Sequence, residues 1–429
     1  MRLGPYRHRE RCALCWSVRL DEVLSLDYTP LANEFVTKSE MEFAAGGQPE
    51  RQQQVFPLGL VMCQVCKHVQ IQDIVDARRL FKNYVYATGT SAVTVEHFRK
   101  QAETLVKDLR LVPSSFIVEI GSNDGTLLSE FKKLGCKRVL GIDPAKDIAS
   151  SAVSRGIPTI IDFFTPVLAE HIVEEHEHAS VVIANNVFAH AEDVRSIAIG
   201  VRELIGRRGH FVFEVSYLMD IAEHLTFDTI YHEHFSYHAL KPLVSMFEEL
   251  GLKVYDAVRI PGQMGRGSLR VSVAHESKKL PVDMMVTTSI EVEERSGILS
   301  SGFYKDIKGR ITAAGVYLSN FLNEELAQGK TIVGYGAPAK LTTLMYAFGL
   351  NKRHAQFIVD DSPLKQGMFT PGLHIPVVTP SALDLIPPGS IVVVYAWNFA
   401  DDIIKRFAGM DLVWVVPVPL FRKIEGGKS

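Results

Sequence analysis

The amino-acid sequence predicts a mixed α/β protein in which a small metal-binding domain precedes two Rossmann-like, doubly wound domains. Two Cys-x-x-Cys pairs lie near the start of the chain. Apolar runs then alternate with amphipathic segments from Phe116 to Val215, and the same alternation returns after Thr331. Such alternation is typical of a mostly parallel sheet covered by helices on both faces. The expected domains are residues 1–80, 81–285 and 286–429.

The length and composition fit a chain of several globular domains. The protein has 429 residues, of which 47% are hydrophobic, and a net charge of −3. This near-neutral balance gives no electrostatic footprint for nucleic acid or an anionic membrane. No apolar stretch resembles a signal peptide or a transmembrane helix. We therefore expect a cytoplasmic protein, a monomer or weak homo-oligomer, with no nucleic-acid or membrane partner.

The two cysteine pairs, Cys12-x-x-Cys15 and Cys63-x-x-Cys66, have the same internal spacing. Each pair can present two thiolates to one ion, and four thiolates in a tetrahedron form a structural zinc site. Four buried free thiols and a redox pair are the alternatives. A catalytic zinc is not expected, because four protein ligands leave no open position. We expect His68, near the second pair, at the surface and not on the metal.

A glycine turn opens the central domain. The first apolar run contains Glu119 near its end, and the turn that follows, Gly121 to Gly125, leads into an amphipathic segment. Glycines permit a sharp turn and the close approach of a ligand. The next apolar run ends in Asp143, roughly 20 residues after the first glycine, where an acid can accept hydrogen bonds from ribose hydroxyls. These features predict a nucleotide-type ligand.

The spacing within this turn favours S-adenosylmethionine (SAM) over NAD. The dinucleotide fingerprint needs glycine at its third position, which Asn123 occupies here. An α/β domain without a nucleotide is the remaining alternative. Ligands of such sheets bind at the turn and at the carboxyl ends of the strands. The predicted SAM-binding residues are Glu119, Gly121, Ser122, Asn123, Asp143, Asp162 and Asn185.

Two further segments are rich in polar and aromatic side chains. Tyr84 and Tyr86 precede a Thr-Gly-Thr-Ser run, which predicts either a linker packed by aromatics or a substrate-contacting loop. The segment Phe227 to Tyr237 contains the sequence YHEH, in which a carboxylate lies between two histidines. Histidine is the usual general base near neutral pH. The alternatives are a second metal site through His232 and His234, or histidines simply satisfied by hydrogen bonds.

At this point the chain resembles the SAM-dependent C-methyltransferases that act on nucleotide-linked keto-deoxysugars. The resemblance spans nearly the whole chain. It depends on the paired CxxC motifs and on the stretches EIGSNDGTLL, GIDPA, ANNVFAHAEDV, FEVSYL, FDTIYHEHFSY, GYGAPAKLTTLM, DDSPLKQGMFTPGLHIPV and AWNF. YHEHFSY and GYGAPAK are the most specific of these.

The resemblance implies a mechanism and roles for particular residues. His234 would be the base that removes a proton α to a C4 ketone, and the resulting enolate carbon would take the methyl group of SAM. Glu233, Tyr231 and either Tyr84 or Tyr86 would assist. The substrate would be a dTDP-, GDP- or CDP-linked keto-deoxysugar, and the zinc would be structural. Base and hydroxyl groups in one segment suit enolate formation, which needs a base and donors to the oxyanion.

One stretch departs from the family pattern. The family tends to show His-Gly-Gly-Ser-Leu-Arg after the YHEH motif, whereas this chain has methionine at Met264 and arginine at Arg266 in place of the histidine and one glycine. A guanidinium at this position could pair with a phosphate or carboxylate. The identity of the sugar therefore stays open.

The last third of the chain predicts a connecting helix and a second Rossmann-like sheet. An amphipathic segment over about 290–326 has apolar residues at spacings of three and four. Gly334-x-Gly336 then follows an apolar run, which alone is weak support for a nucleotide. By resemblance this domain helps to hold the sugar nucleotide. The predicted substrate-binding residues are Lys340, Arg270 and Tyr335, with an exposed surface lysine as the alternative for Lys340.

Two other classes of function compete with the methyltransferase. The first is an NAD-dependent or epimerase-type sugar-nucleotide enzyme that uses either sheet, against which Asn123 argues. The second is a non-catalytic protein that binds SAM or a sugar nucleotide as a regulatory ligand, against which the complete YHEH motif argues. Cofactor titration and a search for turnover discriminate between them.

Overall fold

The computed structural model of the chain describes residues 2–45, 53–80, 88–90, 92–260 and 267–426. The N-terminal domain is built on the antiparallel pair β3 and β4, and β1 and β5 also pair with β4. Its elements are β1 (Arg2–Leu3), β2 (Arg7–His8), β3 (Leu20–Thr29), α1 (Lys38–Ala45), β4 (Gln54–Cys63), β5 (Val69–Ile71), β6 (Asp73–Ile74) and α2 (Ala77–Leu80). The small strands β2 and β6 pair separately.

The central domain contains a seven-stranded sheet in the order β13-β14-β11-β10-β7-β8-β9. Its elements are α3 (Ala92–Asp108), β7 (Phe116–Ile120), α4 (Thr126–Lys133), β8 (Arg138–Ile142), α5 (Lys146–Ser154), β9 (Thr159–Ile160), α6 (Pro166–His176), β10 (Val181–Asn185), α7 (Val194–Ile205), β11 (His210–Ser216), α8 (Leu218–His224), β12 (Ser236–Tyr237), α9 (Leu240–Glu249), β13 (Leu252–Ile260), β14 (Ser268–His275) and α10 (Met284–Ser296). The five strands from β9 to β11 are parallel, while β14 and β13 are antiparallel additions.

The order of this sheet places a ligand site between β7 and β10. The chain builds β7, β8 and β9 outward in one direction and then continues from β10 on the other side of β7, so the loops after these two strands diverge. Ligands of open α/β sheets bind at such a switch point. All five residues of β7 are buried, as expected for a parallel strand covered on both faces.

The turn after β7 has the backbone conformation that its glycine and asparagine residues allow. Gly121, Asn123 and Gly125 have φ angles of 69°, 51° and 74°. Asparagine is one of the few residues besides glycine that visits this left-handed region routinely. The asparagine that departs from the dinucleotide pattern therefore still provides the sharp turn.

The strand β12 belongs to the N-terminal sheet, although it lies between α8 and α9 of the central domain in the chain. It pairs antiparallel with β5, with Ser236 opposite Gln70 and Tyr237 opposite Val69. This pairing buries His68 completely, with its Nε2 atom 3.1 Å from Ser236 Oγ and its ring stacked on His238. The expectation of a surface position for His68 is wrong, because a strand from elsewhere in the chain covers it.

The C-terminal domain contains a six-stranded sheet in the order β17-β16-β15-β18-β19-β20, parallel except for β20. Its elements are α11 (Ser301–Ala327), β15 (Ile332–Tyr335), α12 (Lys340–Ala347), β16 (Ile358–Val359), β17 (Val377–Val378), β18 (Ser390–Val394), α13 (Ala400–Arg406), β19 (Leu412–Val416) and β20 (Arg422–Glu425). With the central sheet, this confirms the expected α/β class with two doubly wound sheets.

The segment expected to form one long helix is two helices. Gly297 ends α10 with a φ of 79°, and Ser300 precedes α11. The apolar residues at spacings of three and four, from Phe303 to Phe321, all lie within α11. Helix α10 packs against α9 and β13 of the central domain, whereas α11 packs against β3 and α12. None of the helices in the described ranges has the length and apolar composition needed to cross a lipid bilayer.

Candidate active site

A cavity of about 250 Å³ lies at the carboxyl ends of β7, β8, β9 and β10. The turn after β7 forms one wall, and the loop after β10 forms another. All seven residues predicted to bind SAM line this cavity: Glu119, Gly121, Ser122, Asn123, Asp143, Asp162 and Asn185. Their roles in binding stay predictions, but the fold brings them together as the pattern indicated.

The glycine turn is held in place by hydrogen bonds to side chains. The Asp143 carboxylate accepts the N–H groups of Asn123 and Ala145, both at 2.8 Å. Burial raises the pKa of Asp143, while these two bonds oppose the change. On the other side of the turn, the Thr88 N–H donates to Asn123 Oδ1 at 2.9 Å. Thr88 also lines the cavity, whereas the sequence pattern pointed only to its neighbours Tyr84 and Tyr86, which lie outside the described residues.

Glu119 is the most strongly perturbed acid of the cavity. It is 3% exposed, and burial, followed by the negative charges of Asp143 and Asp124, raises its pKa well above the usual value. Among the residues that the structure describes, neither its Oε2 atom nor the buried Ser122 hydroxyl has a hydrogen-bond partner. Buried polar atoms are normally satisfied. The cavity therefore fits a ligand with hydrogen-bond donors, such as the ammonium and hydroxyl groups of SAM.

Two other predicted residues contribute differently. The Asn185 side chain is paired with Gln101 through two hydrogen bonds of 2.7 and 3.1 Å, so its amide is already oriented by α3. Asp162 is exposed at the rim, where its Oδ1 atom accepts the N–H of Phe163 at 2.7 Å.

His190 links the cavity to the YHEH segment. It lines the cavity, its Nδ1 atom is 2.9 Å from the Glu233 carbonyl oxygen, and its ring lies edge-on to His234 with 4.9 Å between centroids. Burial lowers the pKa of His190 to about 4, partly opposed by this hydrogen bond, so the ring is neutral. Sequence analysis missed His190. Its position a few residues after β10, at the same sheet edge as Asn185, was the signal that could have found it.

The hydrogen bonds of His234 define its tautomer. The Nδ1 atom is 2.8 Å from the Thr229 carbonyl oxygen, which can only accept, so Nδ1 carries the proton. In the neutral ring the Nε2 atom is then an acceptor, and the Tyr231 hydroxyl lies 2.9 Å from it. This arrangement orients the unprotonated nitrogen of His234 and places a phenol beside it, as a general base requires.

Glu233 is held by the N-terminal domain. The Asn33 amide nitrogen donates to both of its carboxylate oxygens, at 2.8 and 3.0 Å. Burial raises the pKa of Glu233 to about 7, with the Asn33 hydrogen bond opposing the change. A carboxyl group that titrates near neutral pH beside a histidine can serve in proton transfer. Asn33 was missed, because nothing local in the sequence connects it with the YHEH motif.

His232 is directed away from His234. Its Nε2 atom is 3.0 Å from the Pro57 carbonyl oxygen, and burial lowers its pKa to about 4. Within the described ranges, the groups of potential ligands close enough to hold a metal are the four cysteines and a cluster of Asp220, Glu223 and His224. A second metal site through His232 and His234 is therefore not supported.

The four cysteines converge in the N-terminal domain. Their Sγ atoms all lie within 4.8 Å of one another, with 3.5 Å between those of Cys12 and Cys66 and between those of Cys15 and Cys63. A tetrahedral zinc with Zn–S bonds of about 2.3 Å separates its sulfurs by about 3.8 Å, so the donor set fits zinc. No ligand position is left for a substrate.

The first cysteine turn also contacts the loop that borders the cavity. The Ala13 carbonyl accepts the N–H of Arg195 at 3.0 Å, and the Leu14 carbonyl accepts its guanidinium at 2.9 Å. Arg195 is in the first turn of α7, which begins soon after His190. The metal-binding turn thereby supports one wall of the cavity.

In the C-terminal domain, the chain itself fills the switch point between β15 and β18. A Cβ atom on Gly336 would lie 2.4 Å from the Ala396 Cβ, so the two loops are in contact. The Asp360 carboxylate, at the end of β16, accepts the N–H groups of Ala337 and Ser362 at 2.6 and 2.8 Å. A dinucleotide would need this space, so the arrangement argues against NAD in the second sheet.

The start of α12 lies against the YHEH segment. Thr343 donates to the Ile230 carbonyl at 2.7 Å, and Trp397 donates to the buried Asp228 at 2.6 Å. Lys340 is 5% exposed, 2.6 Å from Asn398 Oδ1, and its ammonium is 3.6 Å from the centroid of the Trp397 ring. The alternative of an exposed surface lysine is wrong.

The other two predicted substrate contacts have partners within their own domains. Arg270 pairs with Glu214 at 2.9 Å. Burial alone would raise the pKa of Glu214. Its contacts with His97, Arg270 and Ser268 outweigh burial and lower this pKa to about 2. The Tyr335 hydroxyl donates to Asp361 at 3.1 Å and contacts Arg406. Contact of these two side chains with a substrate stays a prediction.

We expect Gly121→Ala to weaken SAM binding by about tenfold. The left-handed backbone costs about 1–2 kcal/mol in any residue with a Cβ. The new Cβ would also lie 2.6 Å from Val187 Cγ2, a cavity-lining atom that must then move. Calorimetric titration with SAM measures the effect.

The matched control is Gly135→Ala. Gly135 has a φ of 94° and nothing within 4 Å of an added Cβ, so the backbone cost is similar but the cavity is not altered. This variant should lose stability and keep its affinity for SAM. Equal affinities in the two variants would contradict the assignment of the cavity.

The fold and the site together define a methyltransferase domain placed between a zinc-binding domain and a second Rossmann-like domain. Three family models match the chain in this order: "Putative zinc binding domain" over residues 12–81, "Methyltransferase domain" over 95–257 and "C-methyltransferase C-terminal domain" over 263–419. With the four-thiol geometry, the first match confirms the expected structural zinc site.

The chain is 32% identical over 414 residues to the C-methyltransferase NovU of Streptomyces niveus, a match that covers 96% of each chain. The protein therefore belongs to the SAM-dependent C-methyltransferase family.

Solved structures of methyltransferases are also similar. The magnesium protoporphyrin IX methyltransferase of Synechocystis PCC 6803, with bound SAM, has a TM-score of 0.33 at 13% identity, covering 46% of this chain and 88% of its own. A SAM-dependent methyltransferase of Anabaena variabilis has a TM-score of 0.37 at 16% identity, covering 46% and 91%.

Proposed function

We propose that this protein transfers a methyl group from SAM to the carbon α to the ketone of a nucleotide-linked 4-keto-deoxysugar, with His234 as the base. The observation that carries the proposal is the contact between the two parts of the site. The unprotonated nitrogen of His234 is fixed by Thr229, and the same ring lies against His190, which lines the predicted SAM cavity. A base beside the methyl donor suits carbon alkylation.

The predicted SAM-binding residues would hold the cofactor, which supplies an electrophilic methyl group when bound. His234 Nε2 takes the α-proton of the substrate. The enolate carbon would take this methyl group, the electron pair of the S–CH₃ bond would stay with the sulfur, and the ketone would be restored. The proton leaves His234 for solvent.

Neighbouring groups support this step. We propose that the α C–H bond replaces the Tyr231 hydroxyl beside Nε2, so that the phenol can turn to donate to the enolate oxygen. Donors aimed at a developing oxyanion are a large source of catalysis. Glu233, whose pKa is about 7, can exchange a proton with the same region. Tyr84 or Tyr86, outside the described residues, keeps its predicted assisting role.

The C-terminal domain would hold the nucleotide part of the substrate. Lys340 is a buried cation next to the segment that precedes the base, and a cation at this place would attract the diphosphate of the substrate. A dTDP-, GDP- or CDP-linked sugar contains such a diphosphate. Arg270 and Tyr335 are further proposed contacts of this substrate. The NovU relative, a C-methyltransferase by name, supports a carbon acceptor.

The direct test is mass spectrometry of reactions that contain the protein, SAM and a panel of nucleotide-linked 4-keto-sugars in deuterated water. We expect a product heavier by one methyl group, together with exchange of the α-proton. The exchange should also occur in the presence of S-adenosylhomocysteine, because proton removal precedes methyl transfer.

Other outcomes distinguish the alternatives. Exchange without methylation would favour an epimerase-type enzyme, and a tight complex with NAD in titration would favour an oxidoreductase. SAM binding without turnover or exchange for any sugar of the panel would favour a regulatory binding protein and overturn the proposed reaction.

A further inference from the structure

One side chain of the N-terminal domain reaches the residue that precedes the proposed base and has no role in the function described so far. Asn33 donates through its amide nitrogen to both oxygens of Glu233, which directly precedes His234. Glu233 is 4% exposed, whereas Asn33 is exposed. Asn33 therefore contacts the buried carboxyl group on one side and solvent on the other.

The orientation of the Asn33 amide follows from its partner. An ionised carboxylate only accepts hydrogen bonds, so the amide nitrogen faces the ionised form of Glu233. The Asn33 Oδ1 atom then faces away from Glu233. This carbonyl oxygen makes no hydrogen bond with another side chain or backbone group in the described ranges of the chain. The Asn33 Oδ1 atom is thus a hydrogen-bond acceptor next to Glu233, the residue that precedes the proposed base.

The backbone on both sides of Asn33 is fixed. Leu31 and Ala32 are buried, and the Ala32 carbonyl accepts the Thr342 hydroxyl of α12 at 3.4 Å. On the other side, Val36 and Phe369 exchange two backbone hydrogen bonds of 3.0 and 2.8 Å. Both contacts are with the C-terminal domain. An exposed side chain between two anchored positions is held in one place, as a recognition residue requires.

We infer that Asn33 is a specificity-determining residue, whose Oδ1 atom accepts a hydrogen bond from a hydroxyl group of the sugar ring next to the reacting carbon. This inference rests on the proposed function, because it takes the sugar to lie against Glu233 and His234. The N-terminal domain then contributes to the choice of substrate in addition to binding zinc.

The test compares two nucleotide-linked keto-sugars that differ in one ring hydroxyl group. Their dissociation constants are measured by calorimetry in the presence of S-adenosylhomocysteine, so that the result does not depend on turnover. A single hydrogen bond contributes about 0.5–1.5 kcal/mol. For the unaltered protein we expect the hydroxylated sugar to bind about three- to tenfold more tightly than its deoxy counterpart.

Three variants distinguish recognition of the sugar hydroxyl group by Asn33 from positioning of Glu233 by Asn33. Asn33→Leu removes both donor and acceptor, and the ratio of the two dissociation constants should fall to about one. Asn33→Asp keeps an acceptor and should preserve a preference for the hydroxylated sugar, even if both sugars bind less well. The matched control is Asn320→Leu, at an exposed position on α11, which should leave the ratio unchanged.

Two results would overturn the inference. If Asn33→Leu lowers turnover but keeps the ratio, Asn33 only positions Glu233. If the unaltered protein binds neither sugar, or binds both equally, Asn33 does not recognise this hydroxyl group. A failure of the proposed reaction looks different, because it would be seen as binding of the sugars, with the expected ratio, but without methyl transfer.

Discussion

The variant His234→Asn should bind SAM normally and lose turnover by about 10²–10⁴-fold, the usual contribution of a general base. The asparagine amide can still donate to the Thr229 carbonyl, so the segment keeps its anchor. It offers no basic nitrogen in place of Nε2. Steady-state rates by mass spectrometry and SAM affinity by calorimetry measure the two parts of this expectation.

An exposed histidine that does not line the cavity is a suitable control for this variant. His171 is exposed on α6, and His171→Asn should keep its rate within about twofold, since surface substitutions usually change little. If His234→Asn retained more than about a tenth of the activity, the base would have to be another group. Glu233, with its pKa of about 7, would be the first candidate.

Removal of a zinc ligand should have the second large effect. Structural zinc supplies about 10–16 kcal/mol of apparent binding free energy in small zinc-binding peptides at neutral pH. In Cys63→Ser we expect the zinc content to fall from about one per chain to near zero, and the melting temperature to fall by more than about 10 °C. Elemental analysis and thermal unfolding measure these changes.

The same variant should also bind SAM less tightly. The first cysteine turn contacts Arg195 at the start of α7, and the loop before α7 contains His190 in the cavity wall. Cys136→Ser is the control, since Cys136 is buried beside α4 and away from the four-thiol site. It should lose some stability and keep its zinc. Full zinc content in Cys63→Ser would contradict the assignment of the ligands.

The features that sequence analysis predicts correctly are those set by local pattern. Strands β7, β8, β10 and β11 are recognisable as apolar runs, and their carboxyl ends meet because parallel strands share one edge. For this reason residues as distant as Glu119 and Asn185 can be assigned to one cavity from the order of the strands along the chain. The cysteine pairs are recognisable because the spacing alone implies a shared ion.

The features that it missed depend on contacts between distant segments. Nothing near Asn33 indicates that its amide meets Glu233, and nothing near His68 indicates that β12 covers it. The sequence around Lys340 does not indicate that this side chain is buried, because it packs against Trp397 in a loop distant in the chain. The break at Gly297 was missed, although the regular apolar spacing starts only at Phe303, after the glycine that ends α10.

The strand β12 has a consequence for how this protein could be rebuilt. It is only two residues long, yet it joins the sheet of a domain that the chain left long before. An engineer who exchanged the N-terminal domain for that of a relative would leave Ser236 and Tyr237 facing a foreign strand. The chimera would have to carry the YHEH segment along with its partner β5. The N-terminal sheet and the YHEH segment would therefore have to be exchanged together.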